Sequence, residues 1–168
     1  MLIKVFTTGG TIDKVYFDKL SEFQIGDPQI AEILAPVNPG FEWAVEPVLR
    51  KDSLDLTEAD RALLRERIAA DPAERVLVTH GTDTMRETAR ALAGIPGKTV
   101  VLTGALAPAR FRDSDAVFNV GFALACVQTL PAGVYLAMNG TVFNPFHVRK
   151  NRSQNTFELE ASAGEAGV

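Results

Sequence analysis

A pair of glycines flanked by threonines follows the first apolar run of the chain. The run "MLIKVF" leads into "TTGGTIDK", where Gly9 and Gly10 precede Thr11. Glycine lets a backbone turn sharply and approach a ligand closely, because it has no side chain to obstruct the approach. A turn with a helix cap explains such a segment most simply. Phosphate binding is the chemical alternative, in which Thr11 would stand at the head of the sheet with its hydroxyl exposed, although neither G-x-G-x-x-G nor G-x-x-x-x-G-K-[ST] is present.

A second segment repeats the order of strand, glycine, hydroxyl and acid. In "VTHGTDTMRETA", Thr82 and Asp83 stand at the expected end of a strand. Thr84 and Glu87 have the spacing of a capping box, which predicts that a helix begins there. A turn and cap would explain this segment too. Two hydroxyl groups at two strand ends nevertheless favour a shared cleft.

Three further polar groups are weaker candidates when each is taken alone. Ser53 and Asp52 lie in "KDSLDL", which also fits a simple loop, and Lys150 lies in a polar loop where lysines are usually solvated. His80 is interpreted as structural. His147 has no partner at metal-ligand spacing, so no metal site is expected.

The elements that would position these groups alternate along the chain. Five apolar segments predict buried strands: Leu2–Phe6, Trp43–Leu49, Arg75–Val78, Thr99–Leu102 and Val134–Met138. Helix patterns lie between them, with Asp27 and Thr57 as expected N-caps. Nearly continuous apolar strands that alternate with helices predict an α/β, doubly wound, mainly parallel sheet covered on both faces.

The carboxyl ends of these strands are the expected ligand-binding edge. Open α/β sheets bind ligands at that edge. The segments that follow the five strands are "TTGGT", "RKDS", "THGTD", "TGALAP" and "MNGT". Small or hydroxyl residues occur in all five, so we expect one site to draw on several of them.

Composition narrows the class of protein. The chain has 168 residues, 46% hydrophobic and 23% charged, with a formal net charge of -4, which argues against nucleic acid or an anionic membrane as the main partner. Cys126 is the single cysteine, so neither an intrachain disulfide nor a cysteine-rich metal site is expected. No segment resembles a signal peptide or a membrane span, and a cytoplasmic protein is expected.

Six segments, taken in order, resemble the bacterial-type L-asparaginase family. They are "TTGGTI", "KDSLDL", "VTHGTDTMRETA", "VVLTGALAP", "SDAVFN" and "VYLAMNGTV…VRKN". The resemblance reaches about Asn151 and implies a flavodoxin-like domain, which we expect over residues 1–158, with a flexible tail over 159–168. The length is similar to that of compact members that have one domain instead of two.

The resemblance also implies the catalytic groups. Thr11 matches the nucleophile of the family. Thr82, Asp83 and Lys150 match a second cluster, in which the lysine and the acid polarise the threonine. Tyr16 matches a tyrosine that hydrogen-bonds the nucleophile and lies in "DKVYFDKLSEF", a loop that could act as a lid.

Substrate-binding groups are implied in the same way. Ser53 and Asp83 match residues that grip the α-carboxylate and α-amino group, and Thr82 and Asp52 are expected beside them. Ala105 matches a backbone site next to the scissile amide.

Two positions depart from the pattern of the long enzymes of the family. Leu54 stands where glutamine is common. Phe23 stands at the spacing of an aromatic residue that follows the nucleophile, and it has no hydroxyl.

The implied activity is hydrolysis of L-asparagine to L-aspartate and ammonia through a threonine acyl-enzyme, with low glutaminase activity. No metal or organic cofactor is expected, and the protein is expected to form a homo-oligomer, either a dimer or a tetramer. Two alternatives stay open: an asparaginase-like component of an amidotransferase, and a non-catalytic module that binds an amino acid.

Overall fold

A computed structural model describes residues 1–17 and 22–160 of the chain. Most of the expected tail, residues 161–168, lies outside the described residues, as do residues 18–21 of the expected lid. The strands are β1 Leu2–Gly9, β2 Lys14–Phe17, β3 Glu22–Ile25, β4 Glu42–Lys51, β5 Arg75–Thr79, β6 Thr99–Thr103, β7 Gly133–Met138, β8 Thr141–Phe143, β9 Val148–Asn151 and β10 Thr156–Leu159. The α-helices are α1 Ile30–Leu34, α2 Glu58–Ala70, α3 Met85–Leu92 and α4 Ala116–Thr129.

The main sheet has six strands in the order β4-β1-β5-β6-β7-β8. All neighbours are parallel except β7 and β8, which are antiparallel. The five strands predicted from the apolar segments are all present, so the predicted α/β doubly wound sheet is confirmed. The β8 edge strand, the β2–β3 hairpin and the β9–β10 hairpin were not predicted, because strands of three or four residues that mix polar with apolar side chains contain no buried apolar run.

Helices cover both faces of the sheet, and each face has its own hydrophobic core. Successive residues of β5 divide between the two cores, because side chains alternate across a strand. Val76 and Val78 pack with Leu64 and Met85 of α2 and α3. Leu77 packs with residues of α1 and α4. This packing fixes the strands, so their carboxyl ends meet at one edge.

Two helix starts differ from the prediction. Thr84 makes no capping hydrogen bond, and α3 begins at Met85; the Thr84 hydroxyl donates instead to the Ser53 carbonyl. Asp27 is not the cap of α1, which begins at Ile30 after Gln29.

The start of a third helix, α2, agrees with the prediction. Thr57 caps α2 in a reciprocal capping box. No α-helix of the described residues is long and apolar enough to cross a membrane.

Candidate active site

Two glycines bring the ends of β1 and β5 into direct backbone contact. Gly10 has φ 87, and a Cβ on Gly10 would lie 2.4 Å from the Gly81 Cα atom. Such a separation leaves no room for a side chain, so both the positive φ and the close approach require glycine. Thr11 follows the first glycine and Thr82 follows the second. These two threonines therefore lie on adjacent loops, and the shared cleft stays a prediction.

Thr11 begins a 3₁₀ turn that is anchored to the hydrophobic core. The turn spans Thr11–Asp13, and the Ile12 side chain within it is fully buried in the core. Thr11 itself is half-buried. The anchoring of its neighbour holds the Thr11 backbone at the site while leaving its side chain reachable.

Lys150 lies on strand β9 and reaches the end of β5, although the sequence suggested a loop. Its Nζ atom donates to Thr82 Oγ1 at 2.7 Å and to Asp83 Oδ1 at 2.9 Å. The lysine side chain is 14% exposed, so the contact is largely shielded from solvent. Pairing of β9 with β10 supports the strand, with Lys150 opposite Phe157. Three of the predicted catalytic groups are thus within hydrogen-bond distance of one another.

The surroundings of this cluster are positively charged. Arg152 Nε lies 3.6 Å from Asp83 Oδ1, so the carboxylate faces two cations. A cavity of about 190 Å³ opens beside the cluster and is lined also by Arg86 and Arg149. Glu87 lines it as well, so four cations face two carboxylates, and the net positive charge favours anionic groups in this cavity.

Ser53 lies against the same glycine that contacts Gly10. A Cβ on Gly81 would lie 2.6 Å from the Ser53 Cβ atom and 2.7 Å from its Oγ atom. The Thr84 hydroxyl donates to the Ser53 carbonyl at 2.7 Å. The loops that follow β1, β4 and β5 therefore converge on Gly81, and Ser53 is 1% exposed at that point.

Asp52 stabilises the loop that carries Ser53. Its carboxylate accepts the Leu54 N–H at 3.1 Å and pairs with Lys14 Nζ at 3.0 Å. Burial acts to raise the pKa of Asp52, but these donors outweigh it and hold the pKa below the usual value. Asp52 thus remains ionised at neutral pH.

Ala105 is buried in the loop after β6, which is shaped by another close approach. A Cβ on Gly104 would lie 2.2 Å from the His80 carbonyl oxygen. Asp115, just before α4, accepts the N–H groups of Leu106 and Ala107. The loop of Ala105 is therefore held both to β5 and to α4.

Tyr16 contacts an aromatic side chain in the structure. It is on β2, is 54% exposed, and packs edge-on against Phe23 at 5.6 Å between ring centroids. Phe23 in turn contacts Phe111 at 6.0 Å. Within the described part of the chain, the Tyr16 hydroxyl has no hydrogen bond to Thr11, and its assisting role stays a prediction.

Asp13 is a titratable group near the site that the sequence did not single out. It is 2% exposed, and its Oδ1 atom accepts the Gln29 N–H at 2.8 Å. Burial raises the pKa of Asp13 to about 6, although the Gln29 N–H opposes the shift. The residue lines a second cavity of about 200 Å³ behind Gly9. An acid next to an apolar isoleucine gives no signal of burial in the sequence.

The described residues contain no cluster of three or more His, Cys, Asp or Glu side chains that could hold a metal ion. The groups that converge are hydroxyls, one lysine and carboxylates at the carboxyl ends of parallel strands. Open α/β sheets bind ligands at this edge.

Comparison with known proteins identifies the family. The family model described as "Asparaginase, N-terminal" matches residues 2–165, and the chain belongs to this family. An L-asparaginase of Bacillus licheniformis is 30% identical over 91% of this chain and 51% of its own length. A glutamyl-tRNA(Gln) amidotransferase component of Thermoplasma acidophilum is 29% identical over 98% of this chain and 41% of its own length.

Solved structures agree with the sequence relatives. The thermostable L-asparaginase of Thermococcus kodakarensis superposes with a TM-score of 0.83 at 27% identity, over 95% of this chain and 51% of that one. A probable cytoplasmic L-asparaginase of Campylobacter jejuni superposes with a TM-score of 0.72 at 28% identity, over 94% and 51%. This chain spans about half the length of the relatives that it matches.

Proposed function

We propose that the protein hydrolyses the side-chain amide of L-asparagine to give L-aspartate and ammonia. The observation that carries the proposal is the contact of Lys150 with both Thr82 and Asp83 at the end of β5. A lysine held by a hydroxyl and a carboxylate can move a proton to or from that hydroxyl. The adjoining glycines then put a second hydroxyl, Thr11, on the neighbouring loop.

In the proposed reaction, Thr11 Oγ1 attacks the amide carbon of the substrate as its proton passes to Thr82 Oγ1, and Thr82 passes its own proton to the Lys150 amine, the final acceptor. The carbon–nitrogen bond breaks, and the nitrogen leaves as ammonia after it takes up a proton. A β-aspartyl ester on Thr11 results. Water attacks this ester, aspartate leaves, and Thr11 regains its proton. The cluster serves as base in each attack and as acid in each departure.

Substrate binding in this proposal rests on the loops after β4, β5 and β6. Ser53 and Asp83 hold the α-carboxylate and the α-amino group, and Asp52 keeps the Ser53 loop in place. Thr82 contributes a further contact, and the backbone at Ala105 faces the scissile amide. The close approach of Ser53 to Gly81, and of Gly104 to the His80 carbonyl, supports this arrangement.

An asparaginase-like role in an amidotransferase is the second candidate, and the similarity to the Thermoplasma acidophilum amidotransferase component favours it. The two candidates share the release of ammonia from an amide. They differ in whether the purified chain alone turns over asparagine. We propose further that the protein works in the cytoplasm, in line with the name of the Campylobacter jejuni relative, and that it forms a homo-oligomer.

The test is ammonia release from L-asparagine by the purified chain, compared with its Thr11→Val variant. Thr129→Val is a matched control, because that exposed threonine only donates to the Ala125 carbonyl at the end of α4. We expect steady release by the wild type and the control, and a loss of at least about 100-fold in Thr11→Val. No release by any of the three proteins, with the fold intact, would refute the proposal.

A further inference from the structure

A buried polar network lies directly behind the loop that carries Thr82. Arg61 Nε donates to Thr88 Oγ1 at 3.2 Å, and Thr88 Oγ1 lies 2.8 Å from His80 Nε2. His80 Nδ1 lies 2.6 Å from the Gly81 carbonyl oxygen. Exposure is 0% for His80, 1% for Thr88 and 7% for Arg61. The proposed reaction assigns no role to any of the three side chains.

The hydrogen bonds of this network run in one direction only. A carbonyl oxygen can only accept, so His80 Nδ1 must carry a proton. The His80 ring is neutral, since burial lowers its pKa to about 4, and its Nε2 must therefore accept. The Thr88 hydroxyl supplies that proton, while its oxygen accepts from the guanidinium of Arg61. Donation thus runs from α2 through α3 to the peptide between Gly81 and Thr82.

The carbonyl that accepts the last of these hydrogen bonds belongs to Gly81, a tightly constrained residue of the site. Gly81 touches both Gly10 and Ser53, and there is no room for a Cβ atom. The same peptide unit carries the Gly81 carbonyl and the Thr82 N–H, so a rotation of one moves the other. The backbone of His80 is fixed as well, because its N–H donates to the Thr103 carbonyl at 2.9 Å.

We propose that His80, Thr88 and Arg61 form a positioning network that fixes the Gly81–Thr82 peptide and so places the Thr82 hydroxyl against Lys150. The consequence for catalysis rests on the proposed function, while the network itself does not. None of the three side chains touches the reacting atoms, so they are positioning residues. A misplacement of about 1 Å at a reacting group can cost about 100-fold in rate.

Thr88→Val tests the proposal, because valine keeps the shape of threonine and removes the proton donor to His80. We expect kcat/KM for asparagine to fall at least about tenfold, mainly through kcat. Thr88→Ser keeps the hydroxyl and should return kcat/KM to within about threefold of the wild type.

Thr99→Val is the matched control. Thr99 is also buried, its Oγ1 accepts from Arg75 Nη1 at 2.8 Å, and it donates to the Leu130 carbonyl. It begins β6, at the opposite end of the sheet from the site. The control should lose a similar amount of thermal stability and keep its activity. If Thr88→Val and Thr99→Val keep equal activity, the positioning role is wrong.

Two measurements do not depend on turnover. Long-range ¹⁵N–¹H NMR of the two histidines should show His80 protonated on Nδ1 only, with His147 as the internal reference. Hydrogen exchange at residues 80–83 should accelerate in Thr88→Val and not in Thr99→Val. A wild-type His80 protonated on Nε2, or unchanged exchange in Thr88→Val, would overturn the network. A wild type that fails to hydrolyse asparagine yet gives both NMR results would refute the proposed function alone.

Discussion

Replacing Lys150 with methionine removes an amino group that contacts two polar side chains while it keeps most of the side-chain volume. The lost contacts are those to Thr82 Oγ1 at 2.7 Å and to Asp83 Oδ1 at 2.9 Å. If the lysine handles the proton of the reaction, its loss should reduce kcat by about 10²–10⁴-fold. That range corresponds to about 3–5 kcal/mol of activation free energy.

The free energy of unfolding should change much less in Lys150→Met. The ion pair with Asp83 is partly solvated, with 31% of the Asp83 side chain exposed, and Arg152 remains 3.6 Å from the carboxylate. Partly exposed pairs contribute about 1 kcal/mol or less. A shift of about 2–4 °C in Tm is therefore expected.

Lys98→Met is the matched control with the opposite expectation. Lys98 is 8% exposed, and its Nζ atom donates to the carbonyls of Asp71 and Ala73 at the other end of the sheet. Leaving buried carbonyls without a donor costs about 1–3 kcal/mol. The control should lose several degrees in Tm and keep its activity. Ammonia release and thermal unfolding on the same preparations decide the matter: normal kcat in Lys150→Met means that the lysine takes no part in the chemistry.

Three further results are expected. Thr11→Val and Thr82→Val should each lower kcat at least about 100-fold with the circular dichroism spectrum unchanged, and activity that persists in both would remove the hydroxyls from the mechanism. The loss of folding stability in acid should be partly masked. His80 has a pKa of about 4, against 6.5 in the unfolded chain, so its titration lowers the free energy of unfolding as pH falls from 6.5 to 4. Asp13 has a pKa of about 6, against 3.8 in the unfolded chain, so its titration raises the free energy of unfolding over the same range. Urea unfolding at pH 4.5 and 6.5 should therefore show a steeper pH dependence in Asp13→Asn than in the wild type, and equal slopes would refute these shifts. Asparagine should be preferred to glutamine by more than about tenfold in kcat/KM, because the longer substrate must shift its anchored end; Leu54→Gln should narrow the ratio, and a wild-type ratio within tenfold would contradict the expectation.

The strands of the main sheet could be predicted because burial on both faces leaves a plain apolar signal. "RVLV" and "TVVL" became β5 and β6 with one more residue each. The β9–β10 hairpin could not be found in this way, since "VRKN" is polar and takes its place through pairing with "TFEL". Lys150 consequently looked like a loop residue.

The candidate site, like the fold, could be predicted from the sequence only in part. The resemblance pointed to Thr82, Asp83 and Lys150, and the structure brings these three together. Local sequence assigned Thr84 to a helix cap, but its hydroxyl donates a hydrogen bond to the carbonyl of Ser53, 31 residues away. The buried environment of Asp13 likewise depends on residues distant in sequence, because residues from β1, from β4 and from the segment before α1 line the cavity beside it.

The central claim is that Thr11 carries the acyl group, and mass spectrometry of the quenched enzyme tests it most directly. The protein would be mixed with excess L-asparagine, stopped with acid during turnover, digested, and searched for an aspartyl ester. We expect the ester on the peptide that contains Thr11, its disappearance on a chase without substrate, and its absence from Thr11→Val. Turnover of asparagine with the ester on another residue, or undiminished turnover in Thr11→Val, would contradict the account.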